Sequence, residues 1–208
     1  MTNDFMRNWR FCRYDTPDEV TTVHLPHDAM ITEPRSKCLN GANSGYFPGG
    51  RYLYEKDFEI SSDQIGQYIA LVFEGVYRCA TVYVNGKKLA YHAYGYTEFT
   101  VDISDVVQAG TNLLKVDVDN SLEPNSRWYS GSGIYRPVHL VIKPKEHIRN
   151  VRITTKSIFP AVITVTADAP AETTVKIYDG EALAAEGMLG DIEIFRAKLW
   201  DAEHPNLY

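Results

Sequence analysis

The stretch from Arg127 to Arg136, RWYSGSGIYR, places hydroxyls, glycines, aromatic rings and two guanidinium groups within ten residues. Glycines spaced in this way are typical of a dinucleotide-binding loop, which also needs a third glycine, a preceding strand and a following helix. Arg136 stands where that third glycine would be, and a β-branched strand follows it. We therefore do not expect this stretch to bind a nucleotide phosphate.

Other residues that could do chemistry lack the sequence context that the chemistry needs. Ser130 and Ser132 accompany six histidines, but no G-x-S-x-G elbow is present, so the Ser/His/Asp sets are attributed to chance. His24, His27 and Asp28 in HLPHD could ligate a metal from one helix face, but a proline interrupts that helix, and a structural loop is favoured.

Carboxylates are numerous, yet none has the surroundings of a catalytic pair. Asp117 and Asp119 alternate with valines in KVDVDN, which places them on the wet face of a strand and does not match a calcium loop. The 27 acidic residues allow many nominal pairs for glycoside hydrolysis, none at the end of a recognisable barrel strand. The chain is predicted to contain no catalytic centre, no metal site and no cofactor.

Two aromatic loops remain, SGYFPGGRYLY (44–54) and RWYSGSGIYR. Sugars bind through their apolar faces on rings and through their hydroxyls on planar polar groups, so loops that mix rings with arginine and asparagine suit a carbohydrate. The alternative is that Tyr46, Phe47, Trp128 and Tyr129 are core or interface residues. Composition alone leaves both interpretations open.

Composition limits the partners. The 208 residues are 44% apolar and 23% charged, and the net charge is −6 without a basic block, which argues against nucleic acid and membranes as partners. Three cysteines, Cys12, Cys38 and Cys79, follow no disulfide or metal spacing and are expected to be free thiols. The polar N-terminal stretch has no apolar leader region, so we expect a cytoplasmic location.

The elements that must position these loops are predicted to be β-strands, because apolar residues alternate or run at strand length and turn residues bound them. Asn85-Gly86 predicts a tight hairpin, and ISDVVQAG (103–110) is the best short helix candidate, with Ser104 as its cap. Many short strands at regular intervals indicate a sandwich or jelly roll. The predicted strands of the first part are 51–60, 68–76, 80–94, 98–104, 112–120 and 138–143.

A boundary is predicted near KPKEHIRN (143–150), which gives a first domain of residues 1–145 and a second of residues 146–208. Beyond it lie short threonine- and valine-rich strands, VRITT, AVITVTAD, TTVKIYDG and IEIFRAKLW, typical of a smaller immunoglobulin-like sandwich. Only four or five strands are visible where such a sandwich has about seven. We expect a second domain truncated at its C-terminal end, whose open sheet edge favours a homo-oligomer.

Five segments, in order, resemble the N-terminal, non-catalytic part of the family 2 glycoside hydrolases, which include β-galactosidases, β-glucuronidases and β-mannosidases. The resemblance covers most of the chain, and five matches in register are specific. The segments are LPHDAMI (25–31), GYFPGGRYLYEKDF (45–58), VYVNGKKLAYHAYGYTEFTVDIS (82–104), PNSRWYSGSGIYRPVHL (124–140) and LWDAEHPNLY (199–208).

The resemblance implies an all-β architecture, a jelly-roll sugar-binding-type domain followed by an immunoglobulin-like sandwich, with a catalytic (β/α)8 barrel after both. That barrel needs roughly 250 residues and is absent from this chain. The implied role is to position the barrel and line its mouth in a retaining β-galactosidase-like enzyme acting on a β-galactoside or related oligosaccharide. The chain by itself is expected to be inactive.

RWYSGSGIYR resembles the galactosidase branch, where loops of the first domain approach the barrel mouth. The resemblance implies that Asn125, Arg127 and Trp128 lie near the sugar, with Tyr46 and Phe47 as further substrate-binding candidates. In some galactosidases asparagine and aspartate side chains of these loops contact the substrate, whereas GYFPGG presents Phe47 and Pro48, which argues against direct recognition of sugar hydroxyls by that loop. Gly131 and Gly133 are expected to permit a tight backbone path, and Arg136 to brace the domain.

Three alternatives stay open. A stand-alone carbohydrate-binding module would bind sugar without a barrel. A pure interaction scaffold would tolerate replacement of the loop aromatics. The parent enzyme could also be a β-glucuronidase or β-mannosidase, because the discriminating residues would lie mostly in the barrel.

Overall fold

The computed structural model describes residues 5–125 and 130–208, which form two compact units, one ending at Lys143 and the other beginning at Pro144. Both units consist of antiparallel strands and, within the described ranges, contain no α-helix, so the predicted all-β class is confirmed. No helix in these ranges is long and apolar enough to cross a membrane.

The first unit is a β-sandwich of two antiparallel sheets. Its larger sheet has six strands in the order β2-β1-β3-β8-β5-β6, and its smaller sheet has three in the order β7-β4-β9. The strands are β1 (Trp9–Arg13), β2 (Thr21–Val23), β3 (Arg51–Ile60), β4 (Tyr68–Phe73), β5 (Ala80–Val84), β6 (Lys87–His92), β7 (Phe99–Asp102), β8 (Gly110–Asp119) and β9 (Val138–Lys143).

Strict alternation along β3 and β8 builds the core of this unit. Tyr52, Tyr54 and Phe58 of β3 point inward and are at most 4% exposed, as are Leu114 and Val116 of β8. The odd-numbered residues of both strands point away from the core, because successive side chains of a strand lie on opposite faces. Burial of each large apolar side chain contributes about 1.5–3 kcal/mol, so this face fixes the register of the two long strands.

The predicted hairpin is confirmed, since Asn85 and Gly86 connect β5 to β6 with φ angles of 49° and 80°. The helix predicted over 103–110 is wrong. The backbone there forms hydrogen-bonded turns, with the Val106 and Val107 N–H groups donating to the Ile103 carbonyl. Ser104 does not cap a helix; its hydroxyl accepts from the Ile69 N–H at 2.9 Å, which ties the turn to β4.

Asn112 locks this end of the sandwich. It is 1% exposed, and its amide NH₂ donates to the Gln108 and Gly110 carbonyls at 2.8 and 3.0 Å. Its Oδ1 accepts from the Gln108 N–H at 2.9 Å and from Asn85 Nδ2 at 2.8 Å. The side chain therefore joins the hairpin turn to the connection between β7 and β8, with its polar atoms satisfied.

The second unit has five strands in two small sheets, one of three strands in the order β10-β11-β14 and one hairpin of two. Val165, Ile177, Ile192 and Ile194 form its core, contributed by both sheets. The immunoglobulin-like assignment and the boundary after residue 145 stay predictions. The strands are β10 (Arg149–Ile158), β11 (Ala161–Asp168), β12 (Thr174–Asp179), β13 (Ala182–Met188) and β14 (Gly190–Glu193).

We predict that Asn112→Ala lowers the free energy of unfolding of the first unit by about 2–4 kcal/mol, because it removes the four hydrogen bonds of a buried side chain. Thr111→Ala, one residue away on the outer face, should cost under about 1 kcal/mol. Urea unfolding followed by tryptophan fluorescence measures both changes. Equal costs for the two variants would contradict the locking role of Asn112.

Candidate functional site

Strand ends bring the two aromatic loops to one end of the first unit. Arg51, which begins β3, pairs with Asp119, which ends β8. The segment before β3 and the segment after β8 therefore leave the sheet side by side. Gly133, in the later segment, also exchanges backbone hydrogen bonds of 2.7 and 2.9 Å with Tyr77. We call residues 24–50, 74–79, 93–98 and the described part of 120–137 the loop end.

Glu123 holds the loop end together. One carboxylate oxygen accepts the Leu39 N–H at 2.8 Å, and the other accepts the Gly49 N–H at 3.1 Å. The Asn120 N–H donates to the Gly50 carbonyl at 2.8 Å beside this contact. Hydrogen bonds to a charged acceptor are among the stronger ones, so this carboxylate fixes the earlier loop to the later one.

The predicted residue Asn125 lies in this network. Its N–H donates to Asn40 Oδ1 at 2.9 Å, and its Nδ2 donates to Asn120 Oδ1 at 2.8 Å and to the Leu122 carbonyl at 2.5 Å. Its Oδ1 is buried without a hydrogen-bond partner in the described part of the chain, and so is Asn40 Nδ2. An unused acceptor and an unused donor thus belong to adjoining side chains.

The predicted Tyr46 and Phe47 have different surroundings. Tyr46 is 50% exposed and adopts a φ of 66°, and its carbonyl accepts the Ser36 N–H at 2.9 Å. The Phe47 ring lies under the Arg35 guanidinium at 5.1 Å, and its carbonyl accepts from the Ser44 hydroxyl at 2.9 Å. Tyr46 can present its ring to a ligand, whereas Phe47 makes its contacts within its own loop. Neither side chain hydrogen-bonds Asn125 within the described part of the chain. Arg127 and Trp128 lie outside the described residues.

A second aromatic group at the loop end was not singled out from the sequence. Tyr94 and Tyr96 are 60% and 47% exposed, and their rings meet edge to face at 5.7 Å. Tyr96 also packs against Tyr77 at 5.3 Å, and the Tyr135 hydroxyl donates to the Gly95 carbonyl at 2.8 Å. AYGY (93–96) follows the hairpin strand β6 directly, and the only available signal in the sequence was its tyrosine density.

HLPHD is a structural loop, as predicted. Asp28 Oδ1 accepts the Met30 N–H at 3.0 Å, capping the 3₁₀ helix Ala29–Thr32, and accepts the Ser132 N–H at 2.9 Å. A Cβ on Gly131 would lie 2.6 Å from the other carboxylate oxygen, so glycine is required for this approach. His24 and His27 have protein partners too, since His24 Nδ1 accepts the Asn8 N–H at 3.1 Å.

The imidazole of His27 is half-buried, with Nδ1 2.8 Å from the Tyr54 hydroxyl. Burial lowers the pKa of His27, and the neighbouring Asp28 carboxylate opposes this shift. Burial also raises the pKa of Tyr54. The neutral imidazole and the tyrosine hydroxyl share one hydrogen bond, which joins this loop to the core strand β3.

Ser132 and Asn120 complete the base of the site, and sequence reasoning missed both. They are fully buried, and Asn120 Nδ2 donates to the Ser132 hydroxyl at 2.6 Å. Asn40 and Glu123 were also missed. Their bonds join residues 74 to 85 positions apart, and no local pattern in the sequence indicates such contacts.

We predict that Asp28→Ala lowers the free energy of unfolding by about 2–3 kcal/mol, because one helix cap and one bond to the Ser132 N–H are lost together. Asp28→Asn keeps an acceptor in the same place and should retain more than half of that free energy. Chemical denaturation of the two variants beside the unsubstituted chain measures the difference. An Asp28→Asn protein as unstable as the Asp28→Ala protein would contradict the role of Oδ1 as a hydrogen-bond acceptor.

A second prediction concerns pH. Because burial holds the pKa of His27 below its unfolded value, the unfolded chain takes up this proton first as pH falls below about 6.5. His27 therefore contributes stability that is present above pH 6.5 and is lost as pH falls through its folded pKa. Urea unfolding at pH 7.5 and pH 5 should show a smaller loss for His27→Gln than for the unsubstituted chain. Equal losses would contradict this assignment.

Comparison with known proteins agrees with this geometry. Residues 6–144 match the family model described as glycosyl hydrolases family 2, sugar binding domain. β-Galactosidase BoGH2A of Bacteroides ovatus is 36% identical over 149 residues, covering 66% of this chain and 18% of the relative. A Formosa agariphila protein, whose name assigns it provisionally to the β-glucuronidases, is 33% identical over 233 residues, covering 99% of this chain and 22% of the relative.

Solved structures give the same result. A β-glycosidase from Bacteroides vulgatus superposes with a TM-score of 0.75 at 26% identity, over 99% of this chain and 30% of that chain. A β-glucuronidase from Ruminococcus gnavus shares the fold with a TM-score of 0.72 at 20% identity. The chain spans about a fifth of the length of the curated relatives named above. The chain belongs to glycosyl hydrolase family 2, and its first unit is the sugar binding domain of that family.

Proposed function

We propose that the chain is the non-catalytic N-terminal part of a retaining β-galactosidase-like enzyme, whose (β/α)8 barrel is supplied by a longer polypeptide. In this proposal the loop end lines a sugar subsite at the mouth of the barrel. The family match, together with the small share of each relative that the chain spans, supports a division of labour between this part and the rest.

The observation that carries the proposal is the unpartnered pair, Asn125 Oδ1 and Asn40 Nδ2. A buried polar atom without a hydrogen bond costs about 1–3 kcal/mol, so such atoms in a native structure call for a partner. A sugar hydroxyl both donates and accepts. One hydroxyl between these side chains would donate to Asn125 and accept from Asn40, while the exposed rings of Tyr46 and Tyr96 offer apolar surfaces nearby at the same end.

Two carboxylates of the loop end, Asp28 and Glu123, hold loops, since each accepts two backbone N–H groups. Asp119, the last residue of β8, accepts from the Ser121 N–H and hydroxyl. Retaining hydrolysis needs two carboxyl groups about 5–5.5 Å apart, one as nucleophile and one as acid and base. We assign this chemistry to the barrel and expect the chain by itself to be inactive.

The sugar is the finer part of the proposal. A β-galactoside is favoured by the loop sequence, and the name of the Bacteroides ovatus relative supports it. The Formosa agariphila relative supports a β-glucuronide instead. Turnover of matched 4-nitrophenyl β-galactoside, β-glucuronide and β-mannoside by the longer protein decides among them, and a preference for either of the last two would contradict the galactosidase assignment.

We predict that Asn125→Ala in the longer protein raises KM for its preferred glycoside about tenfold and changes kcat less than threefold, since the side chain binds sugar in ground and transition states alike. Ser121→Ala, a polar truncation in the same loop, is the matched control and should leave both constants unchanged. The melting temperature of each variant separates loss of a subsite from loss of the fold. Unchanged KM in a folded Asn125→Ala protein would contradict the subsite and favour a pure scaffold.

A further inference from the structure

The outer face of the six-stranded sheet carries a groove that the proposed function does not use. A cavity of about 360 Å³ lies over β8, and a second of about 240 Å³ lies beside it on the β1 and β3 side. Lys115 lines both cavities. The larger cavity is also lined by Tyr14, Arg51, Tyr83, Leu113 and Asp117, and the smaller one by Arg10 and Glu55. We call this surface the Lys115 groove.

Register shows how the groove is built. Lys115 and Asp117 are two apart on β8 and so share its outer face, and Tyr83 of β5 lies directly opposite Lys115. Although Asp117 points away from the core, it is only 7% exposed. The walls of the groove therefore shelter outward-pointing side chains, and cavities of roughly 300–1,000 Å³ are the usual size of small-ligand sites.

One wall is a guanidinium held in a fixed orientation. Arg51 donates to both carboxylate oxygens of Asp117, at 2.8 and 2.5 Å, and lies over the Tyr14 ring at 3.8 Å. These contacts raise the pKa of Arg51 further, so it remains charged. Two of its five N–H donors are used by Asp117, and no bond from the others to a described residue is present. A planar donor edge is thus preorganised beside the cavity.

Lys115 supplies a second cation. Within residues 5–125 and 130–208 its ammonium has no carboxylate oxygen within 4.0 Å. Its opposite neighbour on β3, Glu55, is 3.5 Å from Arg10 instead. The larger cavity has one excess positive charge, because it is lined by two cations, Arg51 and Lys115, and by one carboxylate, Asp117. The chain as a whole is acidic.

We propose that the Lys115 groove binds an acidic saccharide, with its carboxylate paired to Lys115. The tyrosine side chains offer ring surfaces to the apolar face of a sugar, and the free donors of Arg51 suit its hydroxyls. A neutral sugar would leave the ammonium without a counter-charge, and a charged peptide would not need the rings. The proposal goes beyond the proposed function and does not depend on it, because it uses none of the loop-end residues.

The test is titration of the ¹⁵N-labelled 208-residue chain with methyl β-D-glucuronide and, separately, with methyl β-D-glucoside, which differ only at C6. We expect millimolar binding of the glucuronide, with amide shifts centred on 81–83 and 113–117. Lys115→Met keeps the apolar stem and should weaken glucuronide binding about fivefold to tenfold. Lys143→Met, on an exposed position of β9 in the other sheet, is the charge-matched control and should bind as the unsubstituted chain does.

Three outcomes would overturn the proposal. The first is equal shifts with the glucoside, or unchanged glucuronide affinity in Lys115→Met. The second is a glucuronide response confined to 120–125 and 130–137, which would assign the uronate to the loop end and not to the Lys115 groove. The third is equal groove shifts with a hexaglutamate peptide, which would show a response to negative charge alone.

Discussion

The carboxylate of Glu123 is the interaction on which the loop end depends. It accepts one N–H from each of two positions in the earlier loop, Leu39 and Gly49, and so replaces the strand pairing that ends at Arg51 and Asp119. Irregular backbone has no ladder to satisfy its N–H groups, and a single charged acceptor can satisfy two of them. The asparagines that surround this contact depend on the position it gives to both loops.

The same constraint separates binding from chemistry. Carboxylates that hold backbone N–H groups keep the loops rigid, and they are not available as a nucleophile or a general acid. We propose that the unpaired amide atoms of Asn40 and Asn125 and the exposed tyrosines are the groups that contact a ligand. We propose that a domain built in this way orients a sugar and that another part of the protein cleaves it.

Local periodicity predicted the regular parts of the fold because a half-buried strand alternates apolar and polar residues. The bounds of β3 and β9 agree with the prediction, and AVITVTAD is β11. The short strands β1 and β2 were missed, and so was β13, whose ALAAEGM sequence has low β-propensity. The 103–110 segment has a serine and a glycine at the expected ends of a short helix. The Ser104 hydroxyl instead accepts the Ile69 N–H of β4, and this contact holds the segment as turns.

The site was predictable only in part. Asn125 and Tyr46 both lie at the loop end, and their contact with a sugar stays a prediction; the position of Asn125 depends on Asn40, 85 residues earlier in the chain. Asn120 and Ser132 bond each other at the base of the loop, and nothing in their immediate sequence distinguishes them from turn residues. Contacts of this kind arise only after the sheet has brought distant loops together, whereas the aromatic loops themselves were visible in the sequence.

The central claim, that this chain contributes to a sugar subsite without catalysing hydrolysis, is tested most directly by one measurement on the 208-residue chain. Isothermal titration with galactose and lactose at millimolar concentrations is paired with an assay of a chromogenic β-galactoside. The account predicts neither measurable heat nor turnover, because the subsite is completed by the barrel. Saturable heat would indicate a self-sufficient binding module, and genuine turnover would place a catalytic centre among residues assigned here to structure; either result would contradict the account.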